Sequence, residues 1–75
     1  VLAGFMTHVC VSTTARVADE KGFPVTVVSD ATATRDLPDT ITGDTVLAAD
    51  LHHHELTMLA DTFAKMVSTK DILDA

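Results

Sequence analysis

Two short apolar runs, Val1–Phe5 (VLAGF) and Pro24–Ser29 (PVTVVS), flank a stretch whose apolar residues recur at helical spacing. That order is the strongest constraint the sequence places on its fold. Neither run alternates cleanly between apolar and polar residues, as a strand with one wet face would. Nearly continuous apolar strands fit a sheet covered on both faces, and sheets of that kind are parallel. Parallel neighbours need a crossover. From about Val9 to Lys21, Val11, Ala15 and Ala18 share one helix face, while Arg16, Asp19, Glu20 and Lys21 lie mostly on the other. Gly22 then supplies a helix stop. Strand, helix and strand within about 30 residues make one βαβ unit.

The rest of the chain extends this unit. Asp30–Asp44 (DATATRDLPDTITGD) has turn residues and no sustained periodicity, so it reads as a loop leaving the C-terminal end of a strand, where α/β proteins place ligands and subunit contacts. Thr45–Ala64 reads as the longest helix, N-capped by Asp44 or Thr45. Its stripe is Ala48, His52, Leu56, Leu59 and Phe63, widened by Leu51 and Ala60. Met66–Ser68 is a short third strand, and Lys70–Leu73 a terminal helical turn capped by Ser68 or Thr69. The expected fold class is α/β, in the order β-α-β-loop-α-β with three parallel strands.

Length and charge limit the possible roles. Seventy-five residues allow one domain with a thin core. The chain starts with Val inside a strand, so it is expected to be the C-terminal part of a larger domain. Surfaces left open by such a piece are expected to be covered by a homo-oligomer contact or an N-terminal segment. A net charge of −6, with three Phe and no Trp or Tyr, argues against nucleic acid and against docking on anionic lipid. No apolar run approaches the roughly 20 residues of a membrane span. One cysteine excludes an internal disulfide and suits a reducing cytoplasm. Three adjacent histidines, His52–His54, do not form a metal site, because successive helical residues point about 100° apart. His52 falls on the apolar stripe as a satisfied core or interface residue, and His53 and His54 are expected in solvent. No metal or cofactor is called for.

Cys10 follows the first strand by a tight connection, Met6–Val9, at the expected start of the helix. A helix N-terminus favours a thiolate, and its unpaired N–H groups stabilise an oxyanion. Spacing alone leaves two readings: a nucleophile, or a small buried residue with a packing role.

The wider pattern adds a second line of argument. Gly4, Thr7, Cys10 and Val11 form a Gly-x-x-Thr-x-x-Cys-Val core. Thr14-Ala15 follows, then Gly22, the VTVV strand, Asp30-Ala31, the helix with His52 and the closing FAKMVSTKDIL. Over essentially the whole chain this pattern resembles the C-terminal half of the isochorismatase-like cysteine hydrolase superfamily, which includes nicotinamidases and N-carbamoylsarcosine amidases. The resemblance implies a three-layer Rossmann-like α/β fold and a Cys-Asp-Lys triad in which Cys10 is the nucleophile. It implies a cis peptide at Phe5-Met6, and an oxyanion hole made of the Met6 and Cys10 N–H groups. Thr7 and His8 would lie just behind the cysteine, His8 as a polar turn residue or as a tuner of the thiolate. It also implies a small amide-type substrate, because members that retain this cysteine include amidases and ureide hydrolases. The triad Asp and Lys belong upstream; Asp30, Asp36, Lys21, Lys65 and Lys70 do not match their positions, so the isolated chain is expected to show no turnover. Thr32, Thr34, Arg35 and Asp36 form a polar loop cluster that borders the site, meets a neighbouring subunit through Arg35 and Asp36, or is a solvated loop of Asx and Thr turns. The rival reading is a non-catalytic structural or oligomerisation module that keeps this scaffold without the chemistry.

Overall fold

The computed structural model describes residues 1–74. In chain order the elements are β1 (Leu2–Phe5), a π-helical turn (Thr7–Val11), α1 (Ser12–Glu20), β2 (Thr26–Ala33), β3 (Leu37–Pro38), β4 (Thr45–Val46), α2 (Ala48–Thr62), β5 (Lys65–Val67) and α3 (Thr69–Leu73). Strands β1, β2 and β5 form one parallel sheet with β2 in the centre. The short β3 and β4 pair antiparallel by themselves.

The core forms where the two longer helices meet the sheet. Val11 and Ala15 from the first helical segment, Val25 and Val27 from the central strand region, and Leu56 and Leu59 from α2 make one buried cluster. Because both helices share that cluster, they cover the same face of the sheet. Val28, of opposite parity along β2, points to the other face. An ion-pair and stacking contact ties the helices together at their rim. The Arg16 guanidinium lies 4.7 Å from the Phe63 ring centroid, with Nη2 3.7 Å from Glu55 Oε1, while Nε donates to Ser12 Oγ at 3.1 Å.

Several expectations are corrected here. Strand β1 is not fully buried: Leu2 and Gly4 are half-buried, while Ala3 is exposed and Phe5 is 78% exposed. Its apolar run has one strand neighbour and helices on one side only, so the second face stands open. The helical coil starts at Thr7, two residues before the expected Val9, and starts with a π turn. The central strand runs past Ser29 to Ala33, four residues into the expected loop. It does so out of register, since pairing with β1 jumps from Leu2↔Val27 to Gly4↔Thr32.

The rest of the expected loop contains the β3–β4 ladder. Asp39 folds its connection by accepting the Ile41 and Thr42 N–H groups at 2.9 and 3.1 Å, and Gly43 takes φ +83 in the left-handed region. That ladder uses Thr45 and Val46, which is why α2 starts at Ala48 and not at Thr45. Neither Asp44 nor Thr45 caps it. Leu47 holds the cap position without a capping side chain, and Asp36 Oδ1 accepts the Ala48 N–H at 2.7 Å from 12 residues upstream. The stripe on α2 is narrower than expected, since Ala60 is exposed. At the end of the chain, Ser68 and Asp71 form a reciprocal capping box on α3. Asp30 at the far part of β2 accepts both the N–H and the hydroxyl of Thr69, at 2.7 and 2.8 Å.

Candidate active site

Beyond Phe5 the chain leaves the sheet through a cis Phe5–Met6 peptide. Met6 is extended, and its carbonyl accepts the Val9 N–H at 3.1 Å and the Val11 N–H at 3.2 Å. These are the i+3 and i+5 donors, so the turn is wider than an α-helical one at the residue between them, Cys10. Widened turns of this kind occur often at functional sites. The turn is anchored by alternate burial: Thr7 and Val11 are buried, while Val9 and Cys10 are exposed. Cys10 therefore lies outside the core of this segment. It lines a cavity of about 140 Å³ with Leu2, Ala3, Gly4, Phe5, Val11 and Thr14. Residues of β1 form one wall of the cavity, and among them Gly4 adopts φ +122.

Behind the cysteine, two adjacent residues of the turn reach in different directions. Thr7 is fully buried, with its Oγ1 2.8 Å from Nδ1 of His52 on α2. The other nitrogen of that ring, Nε2, lies 3.0 Å from the Ser29 carbonyl on β2. His8 Nδ1 is hydrogen-bonded to Thr34 Oγ1, at the end of the central strand. His52 is thus a satisfied, half-buried histidine, while His53 and His54 are exposed.

Of the polar loop cluster, Thr34 meets the cysteine turn, Asp36 caps α2, and Thr32 is buried with its hydroxyl 3.3 Å from the Ser29 carbonyl. Arg35 is exposed. Sequence reasoning did not anticipate the Thr7–His52–Ser29 chain. Its signal was a hydroxyl residue at a strand-to-helix junction and a lone polar residue on an otherwise apolar stripe. Among the described residues, no group of three or more His, Cys, Asp or Glu side chains is arranged to hold a metal ion. No helix among them is long and apolar enough to cross a membrane.

The segment thus joins a parallel sheet, an exposed cysteine on the widened turn after its first strand, and a cavity that this cysteine lines. The family model for the isochorismatase domain matches residues 1–71. The chain belongs to the isochorismatase family. A secreted isochorismatase effector of Verticillium dahliae is 47% identical over 72 residues, covering 96% of this chain and 35% of that protein. An isochorismatase family protein of Bacillus subtilis is 38% identical over 77 residues, covering 99% of this chain and 39% of that protein. Among solved structures, an isochorismatase from Pseudomonas putida superposes with a TM-score of 0.87 at 42% identity, over 92% of this chain and 34% of its own. A cysteine hydrolase from Pseudomonas syringae superposes with a TM-score of 0.88 at 35% identity, over 96% and 33%. The fold is thus the Rossmann-like α/β fold of this family, and the chain spans about a third of the length of the relatives it matches. One of those relatives is named as secreted, so membership of the family does not by itself specify the cytoplasm.

Proposed function

We propose that this chain is the nucleophile-bearing, C-terminal part of a single isochorismatase-family hydrolase domain, and that the complete domain cleaves an amide or ureide C–N bond. The observation that carries the reading is the setting of Cys10: exposed, on a turn whose neighbours Thr7 and Val11 are buried, beside a cavity walled by β1. In this reading the Cys10 thiolate attacks the substrate carbonyl, and the Met6 and Cys10 N–H groups stabilise the oxyanion. Collapse of the tetrahedral adduct breaks the C–N bond. The leaving nitrogen takes a proton, and water then hydrolyses the thioester. The acid–base partners, an Asp and a Lys, would come from the preceding part of the domain, and the Arg35-bearing loop and the open face of β1 would meet that part or a second subunit.

The test is trapping. The full-length protein is incubated with a panel of small primary amides and ureides, and intact-mass spectrometry follows the chain. The expected result is an acyl adduct mapped to Cys10 and its absence in Cys10→Ala, with the 75-residue segment alone inactive. Turnover that persists in folded Cys10→Ala would overturn the assignment and leave the segment as a scaffold.

A further inference from the structure

We propose that His52 is a positioning residue for Cys10, acting through the buried hydroxyl of Thr7. The inference rests on the reading of Cys10 as nucleophile and goes beyond it, because His52 touches neither the cysteine nor its cavity.

A carbonyl only accepts, so the 3.0 Å contact between His52 Nε2 and the Ser29 carbonyl places a proton on Nε2. In the neutral ring Nδ1 is then an acceptor, and the Thr7 hydroxyl donates to it across 2.8 Å. The Ser29 carbonyl lies in the stretch of β2, between Val27 and Thr32, where the pairing with β1 is interrupted, and it also accepts the Thr32 hydroxyl at 3.3 Å. The chain of bonds therefore runs from the central strand, through an imidazole on α2, to the first residue of the cysteine turn. Three elements that are distant in sequence are held to one distance.

The turn needs such a brace. Its backbone is tied to Met6 by the Val9 and Val11 N–H groups. Val9 and Cys10 are exposed and gain little from packing. Thr7, fully buried and β-branched, is the one polar side chain of the turn that is locked inside the fold. Its orientation fixes the backbone three residues before the sulfur. A side chain that does not contact substrate still controls rate when it sets the placement of the reacting atom, and misplacement of about 1 Å can cost on the order of 100-fold.

The two bonds of the imidazole can be cut separately. In His52→Asn the amide group sits near the Nδ1 position and keeps a partner for Thr7. In His52→Gln it reaches the Nε2 position, keeps the Ser29 bond and abandons Thr7. The probe is iodoacetamide, with the Cys10 alkylation rate of the full-length protein measured by mass spectrometry, below the melting temperature of every variant. A thiol in an unstructured peptide is the reference, and the exposed neighbour variant His53→Gln is the control. The expected result is an alkylation rate reduced by about 10–100-fold in His52→Gln and Thr7→Val, with His52→Asn, Thr7→Ser and His53→Gln within about threefold of wild type. Wild-type rates in folded His52→Gln and Thr7→Val would overturn the proposal, as would an equal loss in His52→Asn and His52→Gln. If Thr7→Val does not fold, the Asn and Gln pair decides alone. A wild-type cysteine no faster than the peptide thiol would overturn the nucleophile reading itself, a result distinct from fast labelling that is insensitive to residue 52.

Discussion

Asp36 is the residue whose removal best tests how this fold holds its second helix. The first four N–H groups of a helix lack partners within it, and α2 presents a leucine at the position where a capping side chain normally sits. Asp36 substitutes from outside the helix, with Oδ1 2.7 Å from the Ala48 nitrogen. Replacing a capping aspartate by alanine costs about 0.5–2 kcal/mol. The contact is exposed, which places Asp36→Ala in the lower half of that range, near 1 kcal/mol. In a domain about three times the length of this 75-residue chain, as in the relatives it matches, such a loss lowers the melting temperature by roughly 2–4 °C. The structure also supplies the rescue. Leu47 has φ −70 and ψ 147, the extended geometry of a helix cap, and is largely exposed, so an aspartate there caps α2 locally. The assay is thermal melting of wild type, Asp36→Ala, Leu47→Asp and the double variant. Leu47→Asp is expected to stabilise the Asp36→Ala background by more than it stabilises wild type: it caps the Ala49 or Asp50 N–H where Asp36 takes that of Ala48, and in wild type the two carboxylates repel each other at one helix end. No loss in Asp36→Ala would refute the capping account and leave Asp36 as a solvated loop residue.

Other perturbations follow from burial and charge. Leu59 is fully buried in the centre of the core cluster, so Leu59→Ala should cost about 2–5 kcal/mol in chemical denaturation, whereas Met58→Ala one residue away, on the exposed face, should stay near or below about 1 kcal/mol. Gly4→Ala meets no atom within 4 Å but forces φ +122 on a side-chain-bearing residue; the expected loss is about 1–3 kcal/mol from torsion alone, measured by melting. Asp30, Asp39 and Asp71 are all held below the ordinary aspartate value of 3.8, Asp30 by its hydrogen bonds from the Thr69 side chain and backbone, Asp39 by the Ile41 and Thr42 N–H groups, and Asp71 by the Ser68 backbone and hydroxyl. A group whose native value is lowered binds fewer protons folded than unfolded, so its stabilisation is present above about pH 4 and is lost as the pH falls through the native value. Acid unfolding followed by circular dichroism should therefore show a shallower loss of stability below pH 4 in Asp30→Asn than in wild type.

The βαβ plan was legible because it rests on local rules. The β-branched run at Val25–Val28 and the Val11–Ala15–Ala18 face each specify their element without help from the rest of the chain, and the family pattern carried the fold beyond them. What was not legible depends on partners far apart in sequence. The start of α2 could not be read from Asp44 or Thr45, because whether Thr45 caps a helix or pairs as a strand is decided by Leu37 and Pro38. The extension of β2 through Asp30–Ala33, with its turn-forming Asp and its alanines, overrides local propensity through pairing with β1. The same holds at the site. Cys10 stood out by residue type and position, and in this segment it is exposed and lines a cavity. His52 was expected to be satisfied, but its partners, Thr7 and Ser29, lie 45 and 23 residues away in sequence.

On the proposed reading of Cys10 as a nucleophile, the burial pattern around it lets a reactive side chain sit on so thin a core. Four residues, Thr7, His8, Val9 and Cys10, separate the cis Phe5–Met6 peptide from Val11, which is buried in the main hydrophobic cluster. Packing therefore fixes the far end of the turn, and strand pairing at Gly4 and Phe5 fixes the near end. Hydrophobic contact cannot fix the middle, because a nucleophile must face an opening. Directional bonds have to do that, and Thr7 and His8 make them: one to α2, the other to the end of β2. A fully apolar turn at residues 7 and 8 would bury as well or better, yet it would leave the sulfur with no fixed direction. On that reading the fold separates two requirements by residue: Val11 and Ala15 secure stability, and Thr7 and His8 secure aim.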